Sequence, residues 1–112
     1  SRYWIHCRNM AHAILFLFTD LRKDWDLPDK FNIVGEQEVD NLTLAQMIAG
    51  ILGKELRYEM VDFHSSRPGH DLRYALSGEK MKSLGWSPPK TFEESLRKTV
   101  EWTLANKKWL SL

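Results

Sequence analysis

The stretch TFEESLRKTVEW, residues 91–102, is typical of the start of an amphipathic helix. Thr91 is followed three residues later by Glu94, which is a capping box: each side chain satisfies a backbone N–H at the helix start. Apolar residues then recur at four-residue steps: Phe92, Leu96, Val100 and Leu104. This spacing puts them on one face of a helix. The stretch therefore predicts a helix with an apolar stripe that runs to about Lys108.

Periodicity and end signals predict three further helices upstream. The first spans 9–23, with Asn9 as its N-cap. The second spans 43–53, where Thr43 and Gln46 form a capping box and Gly53 ends the helix. The third spans 77–84 and ends before Gly85. The first helix is apolar around most of its circumference, so we expect it to be largely buried.

Runs of aromatic and β-branched residues predict short strands between these helices. The runs are YWIHC at 3–7, FNIVG at 31–35 and ELRYEMVDF at 55–63, with a brief extended RYAL after them. The fold class predicted is α/β, a small mixed domain of about four helices with short strands. The length of 112 residues fits one domain, 1–112.

The composition excludes several classes of protein. Sixteen basic residues against fifteen acidic ones give a net charge of +1, which argues against a nucleic-acid partner. The longest apolar run, residues 13–18, is far short of the roughly 20 residues of a membrane span. The single cysteine, Cys7, and the lack of a signal peptide favour a cytoplasmic location. Because the chain opens without Met on a strand that needs a partner, we expect it to be part of a longer protein.

Sequence motifs for complete catalytic sites are absent. There is no glycine-rich dinucleotide or triphosphate loop, no GxSxG elbow, no Tyr-x-x-x-Lys pair and no His/Cys spacing suited to zinc. No catalytic residue and no metal ligand is predicted.

The loop HSSRPGHDLRY, residues 64–74, is the strongest candidate for binding chemistry. Arginine suits phosphate because its planar fork donates paired, charge-assisted hydrogen bonds. Pro68 and Gly69 directly after Arg67 predict a sharp turn that fixes the direction of this side chain. The residues by themselves leave two interpretations open: a polar turn with solvated charges, or a loop that holds an anion.

The succession of motifs along the chain resembles one enzyme family. The motifs are RYWIH, FNIVG, NLTLAQMI, RPGHDLRYAL, EKMKSLGWSP and TFEESLRKTVEW. Together they resemble the carboxy-terminal part of the NAD-dependent epimerase/dehydratase family of extended short-chain dehydrogenases, and are most similar to its dTDP-glucose 4,6-dehydratases. The resemblance implies that the chain is the substrate-binding carboxy-terminal domain and that an amino-terminal Rossmann domain, with NAD and the catalytic residues, is absent from it.

The resemblance also implies roles for individual residues. Arg67, in the RPG motif, and Arg2, at the start of RYWIH, are expected to contact the diphosphate of a dTDP- or UDP-sugar. Asn41 is expected to face the same phosphates, and His70 and Asp71 the nucleotide. The chain itself is expected to bind no cofactor, whereas the full-length parent, a sugar-nucleotide 4,6-dehydratase or epimerase, would use NAD.

One segment departs from the family pattern. The family has V-x-D after the first motif, and Cys7, Arg8 and Asn9 stand there instead. Asn9 can replace the aspartate as a helix cap, but Arg8 has no explanation in this pattern. Two other functions remain possible on the sequence: a free-standing module that binds a phosphorylated ligand, and a non-catalytic interaction domain.

Overall fold

The computed structural model describes residues 1–19 and 30–111, and the elements run in the following order along the chain. They are β1 (Arg2–Tyr3), α1 (Cys7–Thr19), β2 (Glu38–Val39), α2 (Asn41–Leu52), α3 (Phe63–Ser66), α4 (Glu79–Ser83), α5 (Phe92–Ala105) and a 3₁₀ helix (Lys107–Leu110). The predicted fold class, a small mixed α/β domain, is confirmed.

Helix α5 begins where the sequence predicts. Thr91 Oγ1 accepts the Glu94 N–H at 3.2 Å, and Glu94 Oε2 accepts the Thr91 N–H at 3.0 Å, so the capping box is complete. Phe92 and Val100 from the apolar stripe are buried, and α5 packs against α2. The helix ends at Ala105 because Asn106 has a non-helical backbone, with φ −125° and ψ 49°, and the chain then tightens into the 3₁₀ helix.

Helix α1 begins before the predicted cap. Its first N–H groups are satisfied by His6, whose Nδ1 accepts the Arg8 N–H at 3.0 Å. The prediction of Asn9 as N-cap is wrong, because Asn9 lies inside the first turn and its Nδ2 donates to the Lys90 carbonyl at 2.9 Å. The predicted end near Lys23 falls outside the described residues.

Helix α2 also starts earlier than predicted, and it stops as predicted. The cap is Asp40, not Thr43: Asp40 Oδ1 accepts the Thr43 N–H at 2.9 Å. The Thr43 hydroxyl also donates to Asp40 Oδ2 at 2.6 Å, and these two hydrogen bonds, that from the hydroxyl most of all, lower the pKa of Asp40. Gly53 ends the helix in a left-handed conformation, with φ 63°, which glycine adopts without strain.

The strands are the least accurate part of the prediction. Neither 31–35 nor 55–63 forms a strand, and β2 lies in what the sequence presents as a polar loop. The two-stranded sheet pairs Arg2 with Val39 and Tyr3 with Glu38, antiparallel. On the other side of β1, Arg2 forms a parallel bridge with Tyr74, so the end of the 64–74 loop joins the sheet edge.

The core lies between α1 and α4. Ala13, Met81 and Trp86 are at most 5% exposed and pack with partly buried residues: Ile5, Phe16, Leu17, Phe31 and Ile33. Trp86 Nε1 donates to His12 Nδ1 at 3.1 Å, so its polar group is satisfied inside this core.

Two glycines provide a matched test of this packing. A Cβ on Gly35 would overlap the Trp4 carbonyl group, whereas a Cβ on Gly50 in α2 would meet no atom within 4 Å. We expect Gly35→Ala to lower the free energy of unfolding by about 1–3 kcal/mol through overpacking. Gly50→Ala should raise it by roughly 0.5–1 kcal/mol, because alanine favours the helix.

Urea denaturation followed by circular dichroism would measure both changes. Equal effects of the two substitutions would show that the chain at 31–35 does not pass as closely beneath Trp4 as described.

Candidate functional site

The 64–74 loop is attached to β1 by backbone hydrogen bonds. The Tyr74 N–H donates to the Ser1 carbonyl at 3.0 Å, and the Ser1 nitrogen donates to the Leu72 carbonyl at 2.6 Å. These bonds bring together the two parts of the chain that carry the predicted arginine ligands, although they lie about 70 residues apart.

Arg2 contacts the loop directly. Its Nη2 donates to the Asp71 carbonyl at 3.2 Å and its Nη1 to the Ser1 carbonyl at 2.8 Å. The guanidinium carbon also lies 5.6 Å from the centre of the Tyr74 ring, within the range of a cation–π contact. Arginine has five N–H donors, so these two bonds fix the guanidinium and leave donors for a ligand.

Arg67 sits at the opening of a tight turn. Its carbonyl accepts the His70 N–H at 3.3 Å, and Gly69 has φ 80°, so Pro68 and Gly69 form the predicted turn. The preceding short helix α3 is capped by Asp62, whose Oδ2 accepts the Ser65 N–H at 3.1 Å. Arg67 is exposed, and its side chain forms no hydrogen bond or ion pair within residues 1–19 and 30–111.

The remaining predicted ligands are all exposed. His70 and Asp71 lie in the loop itself, and the Asp71 carbonyl is the acceptor for Arg2. Asn41 is the first residue of α2, beside the Asp40 cap, and in the described part of the chain no hydrogen bond joins its side chain to the loop. The structure therefore hydrogen-bonds Arg2 to the loop, whereas no such bond joins Asn41 to it within the described residues.

An ion pair that the sequence does not reveal secures the loop. Arg73 donates to both carboxylate oxygens of Glu38, from Nε at 2.7 Å and from Nη2 at 2.8 Å, and Glu38 also accepts from the Ser1 hydroxyl. These hydrogen bonds, that from Arg73 most of all, lower the pKa of Glu38 to about 2. Glu38 lies in the polar segment EQEVDN, residues 36–41, which by itself is typical of a loop. Only the register of β2 against β1 shows its position.

Two large clefts of the described chain are lined by residues other than the predicted ligands. One cleft of about 500 Å³ runs past Tyr3, Gly78 and Trp86, and another of about 760 Å³ is lined by Arg8, Lys98 and others. The predicted ligands in the 64–74 loop are instead exposed to solvent. An anion held there would need a second wall to exclude water.

Two further properties of the described chain bear on the site. Within residues 1–19 and 30–111, no three His, Cys, Asp or Glu side chains lie close enough together to hold a metal ion. The same part of the chain contains no helix with the length and apolar character needed to cross a bilayer.

The fold and the loop define the class: a small mixed α/β domain that presents arginines from two segments joined at one sheet edge. Comparison with known proteins shows which proteins the chain is similar to. The chain is 38% identical over 97% of its length to dTDP-glucose 4,6-dehydratase 1 of Escherichia coli K12. It is 37% identical over 96% of its length to the dTDP-glucose 4,6-dehydratase of Neisseria meningitidis, and 34% identical over 97% to that of Xanthomonas campestris.

These matches confirm the resemblance found in the sequence motifs. The similarity is to the carboxy-terminal part of the dehydratases, and the chain spans 31–32% of the length of these curated relatives. No protein-family model matches the chain. No solved structure matches it.

The Arg73–Glu38 pair makes a prediction about acid stability. The folded pKa of Glu38, about 2, is below the ordinary value of 4.5. Ionised Glu38 therefore stabilises the fold fully above pH 4.5, and this contribution is lost as the pH falls from 4.5 to about 2. We expect Glu38→Gln to lose less unfolding free energy across this window than the wild type, in urea titrations at several pH values.

The exposed Glu59, which forms no hydrogen bond within the described residues, supplies the control. Glu59→Gln should follow the wild-type curve. Asp40 and Glu94 also have lowered pKa values, but they contribute equally to every variant. Parallel curves for Glu38→Gln and the wild type would contradict the role of the ion pair.

Proposed function

We propose that this chain is the nucleoside-diphosphate-sugar-binding part of a protein like dTDP-glucose 4,6-dehydratase. The observation that carries the proposal is the 34–38% identity, over about 97% of the chain, to proteins whose names state that they act on dTDP-glucose. The ligand is accordingly a dTDP-sugar or the closely related UDP-sugar.

The proposed ligands of the diphosphate are Arg67 and Arg2. Two phosphates carry more negative charge than one guanidinium neutralises, and arginine binds phosphate oxygens in pairs. Arg2 already donates to two carbonyls, and this limits the conformational entropy that its side chain would lose on binding. It still has N–H donors for the ligand. The Arg67 side chain forms no hydrogen bond or ion pair within the described chain, so all of its guanidinium N–H donors are available to the ligand.

The other three predicted residues take supporting parts in this proposal. His70 and Asp71 follow Arg67 in the turn and are exposed, so they can contact the nucleotide attached to the diphosphate. Asn41 would reach the phosphates only if the bound ligand spans from the loop to the start of α2, because within the described residues Asn41 and the loop do not bond to each other.

The partner that completes the site is, in this proposal, an amino-terminal Rossmann domain that residues 1–112 do not include. Several large apolar side chains are exposed, including Phe18 at 83%, Met60 at 75% and Trp109 at 67%. In this proposal, some of these side chains pack against the Rossmann domain. The Cα radius of gyration is 17.3 Å, against about 13 Å for a compact domain of this length.

In this proposal, the residues present decide which part of the reaction belongs to this chain and which to the Rossmann domain. NAD would supply oxidation of the sugar and return of the hydride, and it belongs to the Rossmann domain. The residues of this chain bind and orient the diphosphate and catalyse nothing by themselves. We place this work in the cytoplasm, in line with the single cysteine, Cys7, which is a free thiol.

Isothermal titration of the chain with dTDP tests the proposal. We expect weak, salt-sensitive binding, because the proposed Rossmann domain does not contribute to the site and the contacts are ionic. Arg67→Ala should weaken it about tenfold or more, which corresponds to the loss of about 1.4 kcal/mol of charge-assisted hydrogen bonding.

Arg57→Ala is the matched control, since Arg57 is an exposed arginine outside the loop. It should leave the affinity unchanged. Equal weakening by both substitutions would mean that dTDP binds through net charge alone and would overturn the assignment of Arg67.

A further inference from the structure

Arg2 and Tyr74 form a cross-strand pair at the edge of the sheet. The two residues are partners in a parallel bridge, and the Tyr74 N–H donates to the Ser1 carbonyl at 3.0 Å. Residues that pair across neighbouring segments of a sheet carry their side chains on the same face, within contact distance of each other. The backbone pairing therefore places the Tyr74 ring beside the Arg2 side chain, although the two residues are far apart in the sequence.

The ring and two carbonyl groups together orient the Arg2 guanidinium. Nη1 donates to the Ser1 carbonyl at 2.8 Å and Nη2 to the Asp71 carbonyl at 3.2 Å. The guanidinium carbon lies 5.6 Å from the centre of the Tyr74 ring, and a ring within about 6 Å attracts the cation through its quadrupole. Without this ring, the guanidinium would be held by the two hydrogen bonds alone, and the one to Asp71 is exposed to solvent.

Tyr74 is itself fixed by the segment that carries it. Arg73, the preceding residue, donates to both carboxylate oxygens of Glu38 in β2, at 2.7 and 2.8 Å. The Tyr74 backbone bonds to Ser1 beside β1. Because this segment is attached to both strands, the ring has a fixed position relative to Arg2.

Burial in the core does not explain Tyr74. The residue is 57% exposed, and its hydroxyl forms no hydrogen bond within residues 1–19 and 30–111. A side chain that is more than half exposed removes little apolar area from water, so its ring contributes little to the free energy of unfolding. The ring contact that the structure does show is the one with Arg2.

We propose that Tyr74 is a positioning residue for Arg2: its ring holds the guanidinium in the orientation in which the remaining N–H donors meet a diphosphate. The inference rests on the proposed function, in which Arg2 is a ligand of the diphosphate. Arginine has five N–H donors, and the two bonds to carbonyls leave three of them for phosphate oxygens. A guanidinium that is oriented before binding loses less conformational entropy when the ligand arrives.

An NMR titration with dTDP, which measures weak affinities, tests the role of the ring. Tyr74→Leu should weaken binding about two- to fivefold, the strength of an exposed cation–π contact. Tyr74→Phe keeps the ring and should bind dTDP as the wild type does. In an Arg2→Gln background, Tyr74→Leu should weaken binding no further, because the group that the ring orients is gone.

Tyr58→Leu is the matched control. Tyr58 is 58% exposed, lies outside the 64–74 loop and forms no hydrogen bond or ring contact within the described residues. Its replacement removes an equally exposed ring and should leave the affinity for dTDP unchanged.

The motion of the Arg2 side chain gives a second readout that needs no ligand. The ¹⁵N heteronuclear NOE of the Arg2 Nε–H reports motion on the picosecond to nanosecond timescale. We expect a high NOE in the wild type and in Tyr74→Phe, and a lower one in Tyr74→Leu. Backbone amide signals outside the loop should keep their positions in all three proteins, which shows that the fold is intact.

Three results would contradict the inference: equal affinity of Tyr74→Leu and the wild type for dTDP, an equal loss of affinity in the Arg2→Gln background, or a mobile Arg2 Nε–H in the wild type. Failure of the proposed function is a different result, since the wild type would then bind no dTDP. The NOE would still show in that case whether the ring orients the guanidinium.

Discussion

The candidate site depends on one constraint: residues 1–3 are hydrogen-bonded to neighbouring segments along both edges of strand β1. On one side β1 pairs with β2, and on the other the Ser1 nitrogen and carbonyl bond to Leu72 and Tyr74. A strand bonded on both sides is harder to displace than an edge strand, because each neighbour satisfies a different set of its backbone groups. Arg2 therefore has a fixed position relative to the loop.

Glu38 and Arg73 reinforce the same junction with side chains. Arg73 is 64% exposed and Glu38 23%, so solvent screening keeps the contribution of the pair to stability small. The pair mainly fixes geometry, because a bidentate arginine–carboxylate contact restricts both the distance and the relative orientation of the two groups. In the proposed binding role this rigidity matters more than energy, since the loop then meets a ligand without first having to be ordered.

Two cationic regions of the described chain differ in how their charges are arranged. In the 64–74 region, Arg2 and Arg73 contact protein acceptors, and Arg67 alone among the three arginines has none within the described chain. In the region where α1 meets α5, Arg8 and Lys98 are both unpaired and lie in a cleft with the buried Asn9.

The sequence determined the features that depend on neighbouring residues. The capping box of Thr91 and Glu94, the stop at Gly53 and the turn at Pro68–Gly69 all follow from contacts within four residues, where side-chain chemistry and backbone preference act alone. The approach of Arg2 to the loop came only from resemblance to a family.

Tertiary structure decided the rest. A strand exists only where a partner offers its backbone, so the apolar runs at 31–35 and 55–63 remained unpaired while Glu38–Val39 formed β2. The contacts of Arg73 with Glu38 and of Asn9 with Lys90 join residues 35 and 81 positions apart. Local sequence carries no information about such pairs, because their formation depends on how the whole chain packs.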